Sequence, residues 1–186
     1  MRSNLYFIVK PLDGKRYDNV RSVEGKEYYL NTSIEDAKFV QRLAEVVSTP
    51  TWYTGPIRSG DVVVVHHNVF RLYYDVYGKE KSTADHFKDK LFFVGIDRVY
   101  LYKSDDCEWK CNLDFCFIRP QMNDNEMDPS ALKEYWGEVC FDSDTLKDMG
   151  VMKGDIVSFQ PECEYEFDID GEVIYRMYTK NICLKK

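Results

Sequence analysis

The sequence predicts an all-β fold made of two tandem small domains with loop insertions. Aromatic residues form 15% of the chain, and they cluster with Val and Ile in short runs typical of strands. Gly, Pro and Asp separate these runs, as turns do between short strands. Four blocks of sequence also occur twice. Several short strands with turns between them favour a small closed barrel in each half.

The four repeated blocks keep the same order in both halves of the chain. They are IVKP at 8–11 with FIRP at 117–120, AEVV at 44–47 with GEVC at 137–140, GDVVVV at 60–65 with GDIVSF at 154–159, and VYLYK at 99–103 with ICLKK at 182–186. Only the spacers differ in length, as expected when insertions fall in loops. We therefore predict domains at 1–104 and 105–186.

Three local patterns add detail to these domains. The apolar runs 91–94 and 99–102 are expected to pair with each other as a terminal hairpin. Residues 169–175 predict a second hairpin, because Asp-Gly at the tip is a strong hairpin signal. Helical patterning is weak and is confined to short turns at 33–43 and 144–149.

Composition excludes several classes of protein. The net charge of −7 argues against a duplex nucleic-acid binder. No apolar run approaches the roughly 18–20 residues that cross a membrane, and the first residues lack a signal-peptide pattern, so we expect a cytoplasmic location. Six cysteines without a C-x2-C pair predict reduced, buried thiols rather than zinc ligands.

Charge is divided unevenly between the halves. Residues 1–103 carry a net +3 and residues 104–186 a net −10. Charges of opposite sign can attract each other within the chain or between copies of it. Ordinary surface variation explains the same numbers.

The block order resembles that of the 10 kDa co-chaperonin family, the lids of group I chaperonins. In the second half the resemblance lies in GEV at 137–139, VMKGDIV at 151–157, FDIDGEV at 167–173 and NICL at 181–184. In the first half it lies in IVKP, AEV, GDVV and, at 97–101, DRVYL. The tandem form resembles the double co-chaperonins of chloroplasts. The stretch VVVVHHNVFR at 62–71 also resembles co-chaperonin-like proteins of bacteriophages.

The resemblance implies a folding accessory without chemistry of its own. Such a lid caps an ATP-bound group I chaperonin and encloses an unfolded client protein. It implies a homo-oligomeric ring, no catalytic residue, no metal and no cofactor. The setting is the cytoplasm, which is that of a bacterial host if the chain is phage-encoded.

The family docks through a mobile loop between its first strand and the GEV strand. Here that interval is 12–38, whose polar first half suits a loop ordered only on binding. Tyr28, Tyr29 and Leu30 lie where the family has its apolar docking segment, so the resemblance makes them the chaperonin anchor. They depart from it by having two tyrosines in place of aliphatic residues. The alternative interpretation is an ordinary core strand.

A second, weaker docking loop is expected in the second half. It spans 121–136 and carries Met122, Met127 and Leu132, without a clear apolar triplet. Its docking role is open, because a surface connector with scattered apolar residues has the same composition.

Three other functions compete with the lid. An enzyme needs a constellation of side chains, whereas His66 and His67 are adjacent and are expected on opposite faces of a strand. A structural or assembly protein of a phage could use the same fold without binding a chaperonin. Single-stranded nucleic acid could stack on Tyr73, Tyr74 and Tyr77 beside several lysines, although the net charge opposes this.

Overall fold

The structure is a computed structural model that describes residues 3–30, 33–34, 36–104, 107–122, 132–169 and 171–186, with the backbone alone at 132–133. The chain divides into two compact units, Met1–Glu108 and Trp109–Lys186. Strands dominate both units, and the described part contains a single short α-helix. The predicted all-β class is confirmed.

The described residues of the first unit form ten strands. They are β1 (Phe7–Pro11), β2 (Val20–Val23), β3 (Lys26–Tyr29), β4 (Leu43–Ser48), β5 (Val62–Val65), β6 (Leu72–Tyr74), β7 (Glu80–Ser82), β8 (His86–Lys88), β9 (Leu91–Val94) and β10 (Val99–Lys103). Short 3-10 helices lie at Leu12–Gly14, Ala37–Phe39, His67–Val69 and Ile96–Arg98. Within 33–43 the described residues form the 3-10 turn Ala37–Phe39, which agrees with the short helical turn expected in this range.

The described residues of the second unit form fewer elements, and its insertions are shorter. Its strands are β11 (Lys110–Cys111), β12 (Phe115–Met122), β13 (Leu132–Phe141), β14 (Ile156–Phe159), β15 (Tyr165–Ile169), β16 (Glu172–Tyr178) and β17 (Ile182–Lys185). Helix α1 (Asp144–Asp148) confirms the expected helical turn. It begins because the Ser143 hydroxyl oxygen accepts the N–H of Leu146, at 3.3 Å.

Both units have the same topology. Six strands of the first unit pair in the order β10-β5-β4-β1-β9-β8, and six of the second in the order β17-β14-β13-β12-β16-β15. The repeated blocks lie on matching strands, and all the recorded pairs within these rows are antiparallel. Among the described strands, no ladder joins β10 to β8 or β17 to β15. The closed barrel therefore stays a prediction.

The register of the strands repeats as well as their order. Lys10 lies opposite Glu45 and Arg119 opposite Glu138, at matching positions of the β1–β4 and β12–β13 ladders. Both pairs form salt bridges, of 2.9 Å and 3.4 Å. Both ladders carry a β-bulge at the same place in the repeat. Because bulges are specific local features, their coincidence supports a duplicated domain.

The repeated Gly-Asp pair is a turn that opens β5 and β14. The carboxylate of Asp61 accepts the N–H of Arg58 at 2.7 Å, and that of Asp155 accepts the N–H of Met152 at the same distance. The glycine before each aspartate has a positive φ, 95° at Gly60 and 91° at Gly154. A residue without Cβ is favoured there, which explains why this block is the clearest in the sequence.

The predicted terminal hairpin of 91–94 with 99–102 is wrong. Strand β9 pairs with β1 and β8, whereas β10 pairs with β5. A tight two-residue hairpin needs positive φ in its turn, but the link here is the 3-10 helix Ile96–Arg98, preceded by Gly95 at φ −69°. The link therefore carries the chain to the opposite side of the strand order.

The predicted hairpin at 169–175 is confirmed. Strands β15 and β16 pair in antiparallel register, with Ile169 opposite Glu172. Gly171 has φ 82°, as a tight turn requires. Asp170, the other tip residue, lies outside the described residues.

Each unit has its own apolar core. In the first unit the fully buried members of the central cluster include Phe7, Val9, Val63, Val65 and Phe92. The second core includes Cys116, Ile118, Val139, Leu146 and Val157. Phe7 with Val9, Val63 with Val65, and Cys116 with Ile118 are each two residues apart on one strand, as expected for one buried face.

Gly137 is a position where the two units differ. Its counterpart is the fully buried Ala44, yet a Cβ at Gly137 would collide with the carbonyl oxygen of Arg119 and the side chain of Ile118. We expect Gly137→Ala to lower the free energy of unfolding by about 1–3 kcal/mol, because this backbone cannot yield cheaply. Urea denaturation measures the loss. Unchanged stability would contradict the close packing of β12 on β13.

Candidate functional site

Within the interval predicted to dock a partner, residues 20–29 form a hairpin rather than an irregular loop. Strands β2 and β3 pair with Val20 opposite Tyr29 and Val23 opposite Lys26. The turn residues Glu24 and Gly25 have φ 51° and 76°, which matches the twist of a tight hairpin. This local turn chemistry orders a segment whose polar composition alone suggested disorder.

The three predicted anchor residues are exposed on this hairpin. Tyr28 is 53% exposed, Tyr29 65% and Leu30 52%. The alternative interpretation, an ordinary core strand, is therefore wrong. Val23 is 55% exposed on the same hairpin. An ordinary protein surface exposes large apolar side chains singly, whereas this short element exposes four of them together.

Strand geometry separates the three anchor residues into two faces. Tyr28 and Leu30 are two residues apart and share one face with Val23, while Tyr29 shares the other with Val20. The backbone N–H of Leu30 donates to the carbonyl of Asn19 at 2.8 Å, so the alternation continues through Leu30. The face with Tyr28 and Leu30 therefore has the larger apolar surface.

The base of the hairpin is fixed to the first unit by Tyr17. Its hydroxyl donates to the carbonyl of Ile34 at 2.6 Å and accepts the N–H of Leu72 at 2.8 Å. The backbone of the next residue, Asp18, donates to the carbonyl of Phe39 at 2.8 Å. Burial raises the pKa of Tyr17, so the phenol keeps its proton and both hydrogen bonds. The exposed end thus projects from an ordered base.

Arg16 forms a second attachment beside Tyr17. Its guanidinium donates to the carbonyls of Phe70 and Arg71, at 2.7 Å and 3.0 Å, and to the hydroxyl of Ser82 at 2.8 Å. Its Cζ lies 5.0 Å from the ring centroid of Phe92, in a cation–π contact. Burial lowers the pKa of Arg16, which nevertheless stays charged because guanidinium pKa values are so high.

The second predicted loop is only partly described. Met122 ends β12 opposite Leu132 at the start of β13, and Met122 is 51% exposed. Met127 lies outside the described residues, and only the backbone of Leu132 is described. Of the three residues, Met122 and Leu132 are therefore brought opposite each other across the β12–β13 ladder.

His66 and His67 do not point to opposite faces, contrary to the prediction. Strand β5 ends at Val65, and the two imidazole rings stack with centroids 4.2 Å apart. His66 caps the following 3-10 helix, because its Nδ1 accepts the N–H of Asn68 at 3.0 Å. Burial, then the neighbouring His66 and two arginines, lower the pKa of His67 to about 4.

The low pKa of His67 predicts a pH-dependent stability. Unfolded His67 binds a proton near pH 6.5, but the folded residue does so only near pH 4. Stability is therefore lost as the pH falls through this window, because the unfolded state binds the proton first. When the pH is lowered from 7 to 4, we expect the free energy of unfolding to fall less in the His67→Gln variant than in the unmodified chain. Urea denaturation measures both. Parallel losses would contradict the burial of a neutral imidazole.

Metal-ligating and nucleophilic groups are dispersed in the described residues. These hold no cluster of three or more His, Cys, Asp or Glu side chains with the geometry of a metal site. All six cysteines are free thiols, but the predicted burial is wrong for Cys107 and Cys183, which are exposed. Burial raises the pKa of Cys116 to about 12, which disfavours the reactive thiolate.

The tyrosines proposed to stack on nucleic acid lie on the β6–β7 hairpin. Tyr73, Tyr74 and Tyr77 are exposed, at 42%, 52% and 91%. Tyr73 lies opposite Lys81 and Tyr74 opposite Glu80, so the two rings occupy different faces. They do not form one continuous stacking row, which weakens this function.

One group of residues was missed by the sequence analysis. Tyr135, Trp136, Phe159 and Tyr175 line a cavity in the second unit, together with two glutamates. The Tyr-Trp pair before Gly137 was a visible signal. The sequence did not show that this pair lines a cavity, because that depends on the pairing of β16 with β12, which brings Tyr175 to the same place.

Comparisons with known proteins do not assign a function to this chain, so any assignment rests on its residues and its fold. No protein-family model matches the chain, and no curated protein matches it. Among the described residues, no helix is both long and apolar enough to span a membrane.

Proposed function

We propose that the chain is a co-chaperonin that caps an ATP-bound group I chaperonin and assists protein folding. The β2–β3 hairpin is its docking element. One observation carries the proposal: Tyr28, Tyr29 and Leu30 are each more than half exposed on a hairpin that projects from an ordered base. A surface of this kind lowers its free energy by contact with an apolar groove.

Hairpin energetics suit a docking element of this kind. A two-stranded hairpin without a sheet behind it is only marginally stable in water. Binding to a chaperonin groove would order it further, at some cost in entropy. Tyrosine offsets this cost well, because its large ring has few rotatable bonds and interface hot spots are rich in it. Tyr28 and Leu30 form the main anchor because they share a face.

The duplicated sheet supports the same proposal. The resemblance to the co-chaperonin family rests on four blocks, and these blocks occupy matching strands with matching registers in both units. We therefore propose that each unit is a co-chaperonin-like barrel. The chain itself performs no chemistry and carries no cofactor. Its setting is the cytoplasm, that of the bacterial host if it is phage-encoded.

A homo-oligomeric ring belongs to the proposal. Closed rings use head-to-tail contacts, which join two different surfaces of identical subunits. A half with net +3 and a half with net −10 provide such different surfaces. The ring encloses an unfolded client protein in the chaperonin chamber.

Size-exclusion chromatography with a group I chaperonin from the native host tests this function. The chain is expected to co-elute with the chaperonin in the presence of ATP and to separate from it without nucleotide. A variant with Tyr28, Tyr29 and Leu30 replaced by Ser is expected not to co-elute. Co-elution of the triple variant would show that other residues anchor the chain to the chaperonin. If the unmodified chain does not co-elute, the proposed lid function is wrong.

The alternative is a phage structural or assembly protein that uses this fold without binding a chaperonin. One observation favours it: the anchor residues occupy both faces of the hairpin, whereas a single groove contacts one. Under this alternative the unmodified chain does not co-elute with chaperonin, and it is found in assembled particles instead.

A further inference from the structure

A cavity of about 370 Å³ opens on the second unit, and none of its described lining residues belongs to the β2–β3 hairpin. The described residues that line it are Pro120, Glu134, Tyr135, Trp136, Phe159, Glu164 and Tyr175. Its volume lies at the small end of the range for ligand pockets, roughly 300–1,000 Å³. Four aromatic rings and two carboxylates give it one chemical character, that of a site for an organic cation.

The aromatic rings stand at steep angles around the cavity. The ring of Phe159 lies 6.3 Å from that of Tyr135, at an interplanar angle of 86°, and 6.5 Å from that of Tyr175, at 79°. Rings set in this way present both faces and edges to the space between them. A cation over an aromatic face is attracted by the ring quadrupole, and several faces around one space form a cage.

Two carboxylates add negative charge at the cavity. A hydrogen bond with Glu134 raises the pKa of Tyr135, to which Glu164 contributes electrostatically. Burial, followed by Glu166 and Glu164, raises the pKa of Tyr175. Both phenols therefore stay neutral, and the two glutamates are the acidic side chains among the described lining residues. None of the described lining residues is basic, so no internal cation from this set neutralises them.

The backbone at Tyr135 is held in an uncommon conformation. Its φ is 57°, although it lies within strand β13 and carries a bulky side chain. Positive φ is rare for such residues and costs free energy. The β12–β13 ladder carries a register irregularity between Pro120 and Met122, beside this residue. This local distortion sets the direction of the Tyr135 ring.

The first unit places a guanidinium group at the position that matches this cavity. Phe92 pairs with Val9 as Tyr175 pairs with Ile118, and Val9 and Ile118 are matched residues of the repeat. The guanidinium of Arg16 lies over the Phe92 ring. At the matching ring of the second unit, the described residues leave a cavity instead. The duplicated fold thus accepts a guanidinium at this place.

A second internal contact points to the same chemistry. The guanidinium of Arg176 lies 5.2–5.5 Å from the centroids of Phe115, Tyr165 and Tyr178. Each unit therefore holds a guanidinium group against aromatic rings, over one ring at Arg16 and near three at Arg176.

We propose that the cavity lined by Tyr135, Phe159 and Tyr175 binds the guanidinium group of an arginine side chain supplied from outside the chain. A planar guanidinium stacks on aromatic faces and donates to carboxylates in pairs, which Glu134 and Glu164 can accept. This binding does not depend on chaperonin docking, because it uses neither the β2–β3 hairpin nor an oligomeric ring of subunits.

Titration of the full chain, followed by amide NMR signals, tests the proposal. The probe is N-acetyl-arginine N-methylamide, and its uncharged isostere is the corresponding citrulline derivative. The arginine probe is expected to shift the signals of Tyr135, Trp136 and Glu164, and to bind at least about fivefold more tightly than the citrulline probe. Equal binding of the two probes, or no saturable shift with arginine, would overturn the proposal.

Two further probes identify the source of the arginine. Free arginine that binds more tightly than the capped probe assigns the site to a small molecule. The peptide Gly-Arg-Gly binding at least as tightly as the capped probe, with free arginine weaker, assigns it to an arginine within a peptide. Both results support the guanidinium site.

Three variants separate recognition from folding. Glu164→Gln removes one charge from an exposed side chain and is expected to weaken arginine binding about two- to fivefold. Tyr135→Gly removes one wall, and glycine accepts the positive φ without strain. Asp148→Asn removes the same charge at the end of α1 and is expected to bind like the unmodified chain. Undiminished binding in both cavity variants would contradict the site.

Discussion

Replacing Tyr28 and Leu30 together by serine is expected to weaken binding to an ATP-bound group I chaperonin by at least about 100-fold. Each is a large, exposed apolar side chain, and hot-spot residues of this kind contribute about 2 kcal/mol or more each. They lie on one face of the hairpin, so a groove can hold both at once. Co-elution and a binding titration with chaperonin measure the loss.

A matched double variant tests whether the face matters. Val20→Ser with Tyr29→Ser removes two apolar residues that lie directly opposite each other on the other face. We expect it to weaken chaperonin binding less than about fivefold, since rim contacts contribute little. Equal losses in the two double variants would show that overall hairpin stability, rather than one docking face, decides binding. Circular dichroism of both variants checks that the first unit remains folded.

Phe92→Ala is expected to lower the free energy of unfolding of the first unit by about 3–5 kcal/mol. Phe92 is 1% exposed and lies in the centre of its core. Its ring meets that of Phe70 at 4.9 Å, nearly perpendicular, and that of His86 at 5.2 Å. The change leaves a cavity and removes the ring beneath the Arg16 guanidinium. Urea denaturation, followed by amide NMR signals of the first unit, measures the loss.

The neighbouring residue provides a matched control. Phe93 is the same residue type one position along β9, and it points to the opposite face. Its ring contacts those of Phe87 and Tyr6, at 4.7 Å and 5.9 Å, and it is only partly buried. We expect Phe93→Ala to cost about 1–2 kcal/mol, because less surface returns to water. A larger loss at Phe93 than at Phe92 would contradict the burial pattern of β9.

The repeated blocks were the most informative part of the sequence. The glycine of each Gly-Asp turn is favoured by a positive φ, and the aspartate by a backbone N–H that its carboxylate accepts. Such local requirements restrict the residue type directly, so they are readable from the chain. The partner of a strand is set by distant packing, which is why the pairing of β9 with β10 was predicted wrongly.

The position of the candidate docking segment stays a prediction from the sequence, and its geometry could not be predicted. Its location followed from the order of the blocks around it, and the turn at Glu24 and Gly25 makes it a hairpin. The division of Tyr28, Tyr29 and Leu30 between two faces appears only once β3 is paired with β2. These residues are exposed because they are not part of the described core cluster of the first unit. Which residues join that cluster depends on distant strands, so no local pattern in the sequence predicts it.

The sequence by itself determined the all-β class, the repeated blocks and the turns that open their strands, because turn chemistry and alternation act between near neighbours. Tertiary structure alone decided which strands are adjacent, which apolar residues face solvent, and that Tyr135, Phe159 and Tyr175 enclose a cavity. The physical reason is the range of the interactions. A β-sheet joins residues far apart in the chain, and the choice among pairings depends on the burial of the whole core.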